Sequence, residues 1–133
     1  MSLSRFLQPP GWRHPSGYSN GVIAQGRQVF IAGQVGWDPS NGRFTSTSLA
    51  DQVMQALRNV LSVLAQADGR PEHIVRMTWY LTSRAEYLAQ LKQIGAAYRE
   101  TMGKHFPAMT AVEVTALVEP QAKVEIEATA VIP

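Results

Sequence analysis

The chain has 133 residues, of which 45% are hydrophobic and 17% charged, a size and composition typical of one globular domain with its own core. The sequence contains no run of about 18 apolar residues, the length needed to cross a membrane, and the first residues lack the apolar segment of a secretory signal. The absence of cysteine excludes disulfides and a cysteine nucleophile. Twelve Lys and Arg residues are scattered among ten Asp and Glu residues, which disfavours nucleic-acid binding. We therefore expect a cytoplasmic protein that contacts no membrane, with nucleic acid the least favoured class of partner.

The chain begins with a segment that we expect to be irregular. Residues 1–16 contain three prolines and lead into a single domain that we take to span residues 1–133. Two strand-like runs follow within residues 21–37, and Gly26 between them suits a tight hairpin turn. The sequence Asp-Pro-Ser-Asn-Gly after them is a dense turn signal.

Two later segments repeat apolar side chains at helical spacing. These are residues 48–69 and residues 83–103. Each begins with a serine, Ser48 or Ser83, that has an acidic residue three positions later, as in a capping box. Gly69 is expected to end the first helix.

Three segments return to the alternation of a β-strand. They are residues 73–82, 108–118 and 123–132. The resulting order, β-β-α-β-α-β-β, predicts an α+β fold in which one sheet carries both helices on one face. Because the strands are too apolar for the other face to stay exposed, we expect it to be covered by self-association.

The strand that starts within HFPAMTAVEV, residues 105–114, raises a question about function. Its alternation places Met109, Ala111 and Glu113 on the same side. A flexible apolar thioether therefore stands at the beginning of the strand, where a charged or polar group would be expected to meet a ligand.

Five segments in register carry a resemblance to a known family: GYSNGV (17–22), VFIAGQVGWDPSNG (29–42), QALRNVLSVLAQADG (55–69), HFPAMTAVEV (105–114) and VEIEATAVI (124–132). Together they resemble the RidA family, also called the YjgF-like family, over nearly the whole chain. The resemblance implies a chorismate-mutase-like subunit in a homotrimer, with a small-molecule ligand in a cleft at each subunit interface. It also implies hydrolysis of reactive enamines and imines, such as 2-aminoacrylate, to a keto acid and ammonia without a cofactor.

The same resemblance suggests which residues form the site. Glu125 matches the carboxylate that holds or activates the attacking water, a role that requires a base near the imine carbon. Tyr18 matches a tyrosine whose hydroxyl reaches into the cleft. Gly33 matches a backbone turn beside the ligand, and Tyr87 matches an aromatic position of the second helix that can reach a neighbouring cleft.

Position 109 departs from the family pattern. In the deaminases this position of FPARSAVEV is an arginine, whose planar guanidinium binds the substrate carboxylate with two hydrogen bonds. Met109 has no such donors, so we expect a ligand that is apolar or lacks the usual carboxylate. Met109, with Ala111 on its face of the strand, remains a candidate ligand-binding residue, and so does Trp37 as a cleft wall.

Three functions remain open. The first is a Rid-type hydrolase of an enamine, an imine or a related metabolite outside the 2-aminoacrylate type. The second is a non-catalytic trimer that binds a metabolite. The third, an endoribonuclease or chaperone-like role, is the weakest because the sequence has no basic stripe and no paired histidines. The three histidines have no metal-ligand spacing, so no metal site is expected.

Overall fold

The computed structural model describes residues 4–133 and confirms the α+β prediction. The chain forms strands β1 (Arg5–Leu7), β2 (Gly21–Ile23), β3 (Arg27–Val35), β4 (Ile74–Leu81), β5 (Ala108–Glu113) and β6 (Val124–Ile132), and helices α1 (Leu49–Ala65), α2 (Arg84–Ala89) and α3 (Leu91–Met102). The main sheet has the order β3-β6-β4-β5. Strand β5 runs parallel to β4 because α2 and α3 form the crossover between them, whereas the other pairs are antiparallel.

The core lies between this sheet and helices α1 and α3. One stripe of α1, which includes Val53, Leu57 and Val60, is fully buried against it. Strand β4 contributes Met77 and Trp79 from its helix-facing side. At about 25 cal/mol per Å² of apolar area, this burial dominates the stability of the domain.

Within the part of the chain that the structure describes, no layer covers the opposite face of the sheet. Phe30 on β3 is 74% exposed there, and the polar side chains of Arg76 and Glu127 are exposed beside it. An apolar side chain of this size in such a position is consistent with the expected self-association.

The predicted hairpin between the first two strands is wrong. Strand β2 pairs with β1, which makes a separate two-stranded sheet, so residues 1–16 are not wholly irregular and the strands do not all join one sheet. Gly26 serves a different purpose, since it adopts φ +149° and a Cβ there would collide with the carbonyl oxygen of Ile132. The glycine permits close approach to the end of β6.

The second predicted helix is interrupted. Gln90 departs from helical geometry with φ −111° and ψ 18°, which separates α2 from α3. Its side-chain oxygen accepts a hydrogen bond from the backbone N–H of Ala50, at 3.1 Å, and so joins the break to the start of α1. The Ser83 hydroxyl caps α2 as predicted. The carboxylate of Glu86, by contrast, pairs with Lys123 at 2.7 Å.

Among residues 4–133, no helix combines the length and the apolar character needed to cross a bilayer.

Candidate functional site

A cavity of about 670 Å³ lies between the edge strand β5 and helices α2 and α3. Four of the residues singled out from the sequence line it together: Tyr18, Tyr87, Met109 and Ala111. The volume is within the usual range for small-molecule sites, and most of the lining is apolar or aromatic.

Strand register explains why Met109 and Ala111 face this cavity. In the parallel pairing of β4 and β5, Met109 lies beside Met77 and Ala111 beside Trp79. Both neighbours on β4 belong to the core on the helix side of the sheet. The alternation seen in the sequence therefore predicted the right side of the strand.

Backbone contacts bring Tyr18 to the same place. The N–H of Ser19 donates to the carbonyl of Pro107 at 3.0 Å, and the Ser19 hydroxyl donates to the carbonyl of Phe106. These bonds hold the segment before β2 against the start of β5. Tyr18, at 41% exposure, is one of the residues that line the cavity.

Aromatic side chains form the inner wall. Tyr98 stacks on Phe106 with ring centroids 5.4 Å apart, and its hydroxyl donates to the carbonyl of His105. Burial raises the pKa of Tyr98 and, to a smaller extent, that of Tyr87. Both phenols are therefore neutral hydrogen-bonding groups at physiological pH.

Two lining residues were not recognised as site residues from the sequence. Trp79 is buried, yet its indole Nε1–H has no hydrogen-bond partner among the described residues. Among the described residues that line the cavity, Arg99 on α3 is the only one that is charged at neutral pH. Neither has a local sequence signal, because they meet only where α3 packs over β4, with the rings of Tyr98 and Trp79 6.3 Å apart.

Glu125 and Gly33 lie on the other face of the sheet. Glu125 stands between the core residues Val124 and Ile126 on β6, so its side chain points away from the core. It lies over Gly33 of β3: a Cβ added to that glycine would be 2.8 Å from Cδ of Glu125. Gly33 thus provides the space that the carboxylate occupies. A single chain keeps this carboxylate and the cavity on opposite faces.

Trp37 lies in the turn that follows β3, apart from both groups. Its ring packs against Phe44 with centroids 5.9 Å apart, and its carbonyl accepts a hydrogen bond from Asn59 at 3.0 Å. In the single chain it does not line the cavity beside Met109.

A larger cavity, of about 860 Å³, lies among the loops around residues 44–47 and 115–123. It contains none of the predicted site residues, and its Lys123 is already paired with Glu86. We therefore regard the smaller cavity as the candidate site, since its aromatic lining and unpaired donors suit a ligand better. Within residues 4–133, no three His, Asp or Glu side chains are placed to hold a metal ion.

The sheet order, the helical layer and the edge-strand cavity define a chorismate-mutase-like subunit of the Rid type. A sequence model of the endoribonuclease L-PSP family matches residues 13–132. The chain belongs to this family, which confirms the resemblance to RidA and YjgF-like proteins.

Individual relatives agree with that assignment. The human 2-iminobutanoate/2-iminopropanoate deaminase is 32% identical over 114 residues, covering 86% of this chain and 79% of the human protein. The Rid-family protein YyfB of Yersinia pestis, whose function is unknown, has 36% identity and a TM-score of 0.82, covering 98% of this chain and 99% of YyfB. Escherichia coli TdcF, solved with bound serine, has 27% identity and a TM-score of 0.70, covering 97% and 99%.

Proposed function

We propose that this protein is a Rid-type hydrolase of an imine or enamine, with a substrate outside the 2-aminoacrylate type. The main support is the convergence of Tyr18, Tyr87, Met109 and Ala111 on one cavity of small-molecule size. Membership of a family that includes a 2-iminobutanoate/2-iminopropanoate deaminase supports the same class of reaction.

The proposed site requires more than one copy of the chain. Glu125 and the cavity lie on opposite faces of the sheet, and the face that carries Glu125 also leaves Phe30 exposed. We propose a homotrimer in which the open face of one subunit meets the β5 edge of another, with the ligand between them. Light scattering tests this directly: a trimer mass is expected, and a stable monomer would contradict both the assembly and the shared site.

In this proposal Glu125 orients and deprotonates the water that attacks the imine carbon. The water oxygen bonds to that carbon while Glu125 passes the proton it has removed to the imine nitrogen. The hydroxyl proton of the resulting carbinolamine then moves through Glu125 to the amino group, the C–N bond breaks, and ammonia leaves a carbonyl product. The Tyr18 hydroxyl donates a hydrogen bond to a polar atom of the substrate.

Met109 determines which substrates are excluded. Arginine at this position would form two charge-assisted hydrogen bonds to a carboxylate next to the imine, each worth about 1.5–3 kcal/mol. Met109 packs against the apolar core instead. A short amino-acid imine that depends on those bonds should bind more weakly by orders of magnitude.

The experiment generates 2-aminoacrylate enzymatically and follows pyruvate release. We expect very low turnover by the wild type and a gain for Met109→Arg. Wild-type turnover equal to that of a true deaminase would show that the argument from position 109 is wrong.

A second set of variants tests the base, with imines of larger keto acids as substrates. Glu125→Gln should lower any turnover by about 100-fold or more, the usual contribution of a general base. Glu127→Gln is the matched control, because Glu127 lies two residues along the same face and, among residues 4–133, its carboxylate accepts a hydrogen bond only from the Tyr80 hydroxyl, at 2.7 Å. Equal activity of both variants would remove the water-activating role.

A non-catalytic metabolite-binding trimer is the second candidate, and the serine bound in the structure of the TdcF relative favours it. It predicts ligand binding without hydrolysis by the wild type. The endoribonuclease or chaperone-like role and the cytoplasmic location stay predictions.

A further inference from the structure

Within one subunit, no acidic residue among residues 4–133 pairs with the positive charge that lines the cavity. Arg99 is the only charged residue in its lining, and no carboxylate among residues 4–133 lies within salt-bridge distance of the guanidinium. The other lining groups are hydroxyls, an indole N–H and apolar side chains. An anionic ligand would neutralise the charge of Arg99.

Geometry within α3 directs the guanidinium along the cavity. A Cβ added to Gly95, one turn earlier, would lie 3.3 Å from Nη1 of Arg99, so the arginine side chain lies back over that glycine. Gly95 is itself part of the lining. The missing side chain at position 95 thus leaves space for the guanidinium beside the aromatic wall.

Trp79 supplies an independent indication of a ligand. Its side chain is 1% exposed and its Nε1–H has no acceptor, which is an unfavourable state for a buried donor. Trp79 also lines the cavity, so a ligand oxygen that reaches Nε1 would satisfy this donor. Arg99 and Trp79 together therefore favour a molecule with an anionic group and a hydrogen-bond acceptor.

We infer that Arg99 replaces the arginine that is missing at position 109 and binds the carboxylate of a monocarboxylic acid with an apolar or aromatic body. This inference rests on the proposed function and specifies its ligand class. Because the charge comes from α3 and not from β5, the carboxylate is held at a different point of the cavity. The apolar body of the ligand then lies along Met109 and Phe106, which explains why a methionine suits position 109.

Phenylacetate and its neutral isostere phenylacetamide are suitable first probes, with phenylpyruvate and 4-methyl-2-oxovalerate as further acids. Nuclear magnetic resonance of the full-length protein reports on the site through the indole N–H signal of Trp79, which Trp79→Phe assigns among the signals of three tryptophans. We expect at least one acid to shift that signal, and phenylacetate to bind about tenfold more tightly than phenylacetamide, as a single charge-assisted contact at an exposed arginine allows.

Arg99→Gln should lower the affinity for the acids about tenfold and leave that for the amide unchanged. Lys92→Gln is the matched control, since Lys92 is an exposed cation on the same helix that does not line the cavity. Equal affinities of wild type and Arg99→Gln would overturn the inference. So would equal binding of acid and amide, or no shift of the Trp79 signal by any of the three acids up to about 10 mM.

The failure of this inference is distinguishable from the failure of the proposed function. If Arg99→Gln binds the acids like the wild type while Glu125→Gln abolishes imine hydrolysis, only the inference is lost. If binding depends on Arg99 but no imine is hydrolysed, the site is that of a binding protein.

Discussion

Substituting alanine for Gly33 would show whether the carboxylate of Glu125 is free to move without loss of the fold. A Cβ at position 33 would lie 2.8 Å from Cδ and 2.9 Å from Cγ of Glu125, and closer still to Oε2. All of these atoms belong to a flexible side chain on a partly exposed surface. The side chain can rotate away, so the carboxylate moves and the strands do not.

The expected change in stability is small because two terms oppose each other. Alanine is favoured over glycine in a strand by about 0.5–1 kcal/mol. Forcing the Glu125 side chain into a strained rotamer costs about 0.5–1.5 kcal/mol. The free energy of unfolding of Gly33→Ala should therefore stay within about 1 kcal/mol of the wild type.

Gly36→Ala is the matched comparison, since it lies three residues further along the same segment. A Cβ there would lie 2.5 Å from the carbonyl oxygen and 2.6 Å from Cα of Gln52, which are backbone atoms of α1. This contact can be relieved only if α1 moves away from the sheet. We expect a loss near the upper end of the cost of overpacking, about 3 kcal/mol.

Urea denaturation of both variants, at one protein concentration so that any assembly is held constant, measures the difference. A gap of about 2 kcal/mol corresponds to roughly a thirtyfold difference in the unfolding constant. Gly33→Ala should also lose turnover, as Glu125→Gln does, because both remove the Glu125 carboxylate from its place. If Gly33→Ala is as unstable as Gly36→Ala, Glu125 is a rigid structural residue and the reasoning fails.

Three further predictions follow from individual contacts. Asn59, 3% exposed, donates hydrogen bonds to two backbone carbonyls at 3.0 Å. Asn59→Ala should therefore lower the free energy of unfolding, measured by urea denaturation, by about 3 kcal/mol. A loss below about 1 kcal/mol would refute this role. Burial raises the pKa of Tyr98 above the unfolded value of about 10. The stability gained by burying the neutral phenol is therefore complete below pH 10 and is lost as the pH rises through the folded pKa. Tyr98→Phe should accordingly show a weaker alkaline loss of stability. Phe30→Ser should give a folded subunit of monomer mass in light scattering; an unchanged trimer would mean that this face is not the interface.

The local patterns predicted most elements well, because helix caps and alternation depend on neighbouring residues. Ser48 and Ser83 cap α1 and α2, and β4 extends over Ile74–Leu81 within the predicted 73–82. The partner of β2 could not be predicted in the same way, since pairing is decided by contacts with residues far away in the chain. Likewise, the break at Gln90 depends on a hydrogen bond to Ala50, forty residues earlier.

For function, the sequence by itself determined the family, the side of the strand on which Met109 lies, and the absence of the usual arginine there. Only the tertiary structure decided that Arg99 and the unpaired N–H of Trp79 share a cavity with Met109, and that Glu125 lies on the opposite face. The physical reason is that alternation within a strand is a local property of the chain. The side chains that meet across a cavity, in contrast, depend on how a helix packs against a sheet edge, and no short motif encodes that packing.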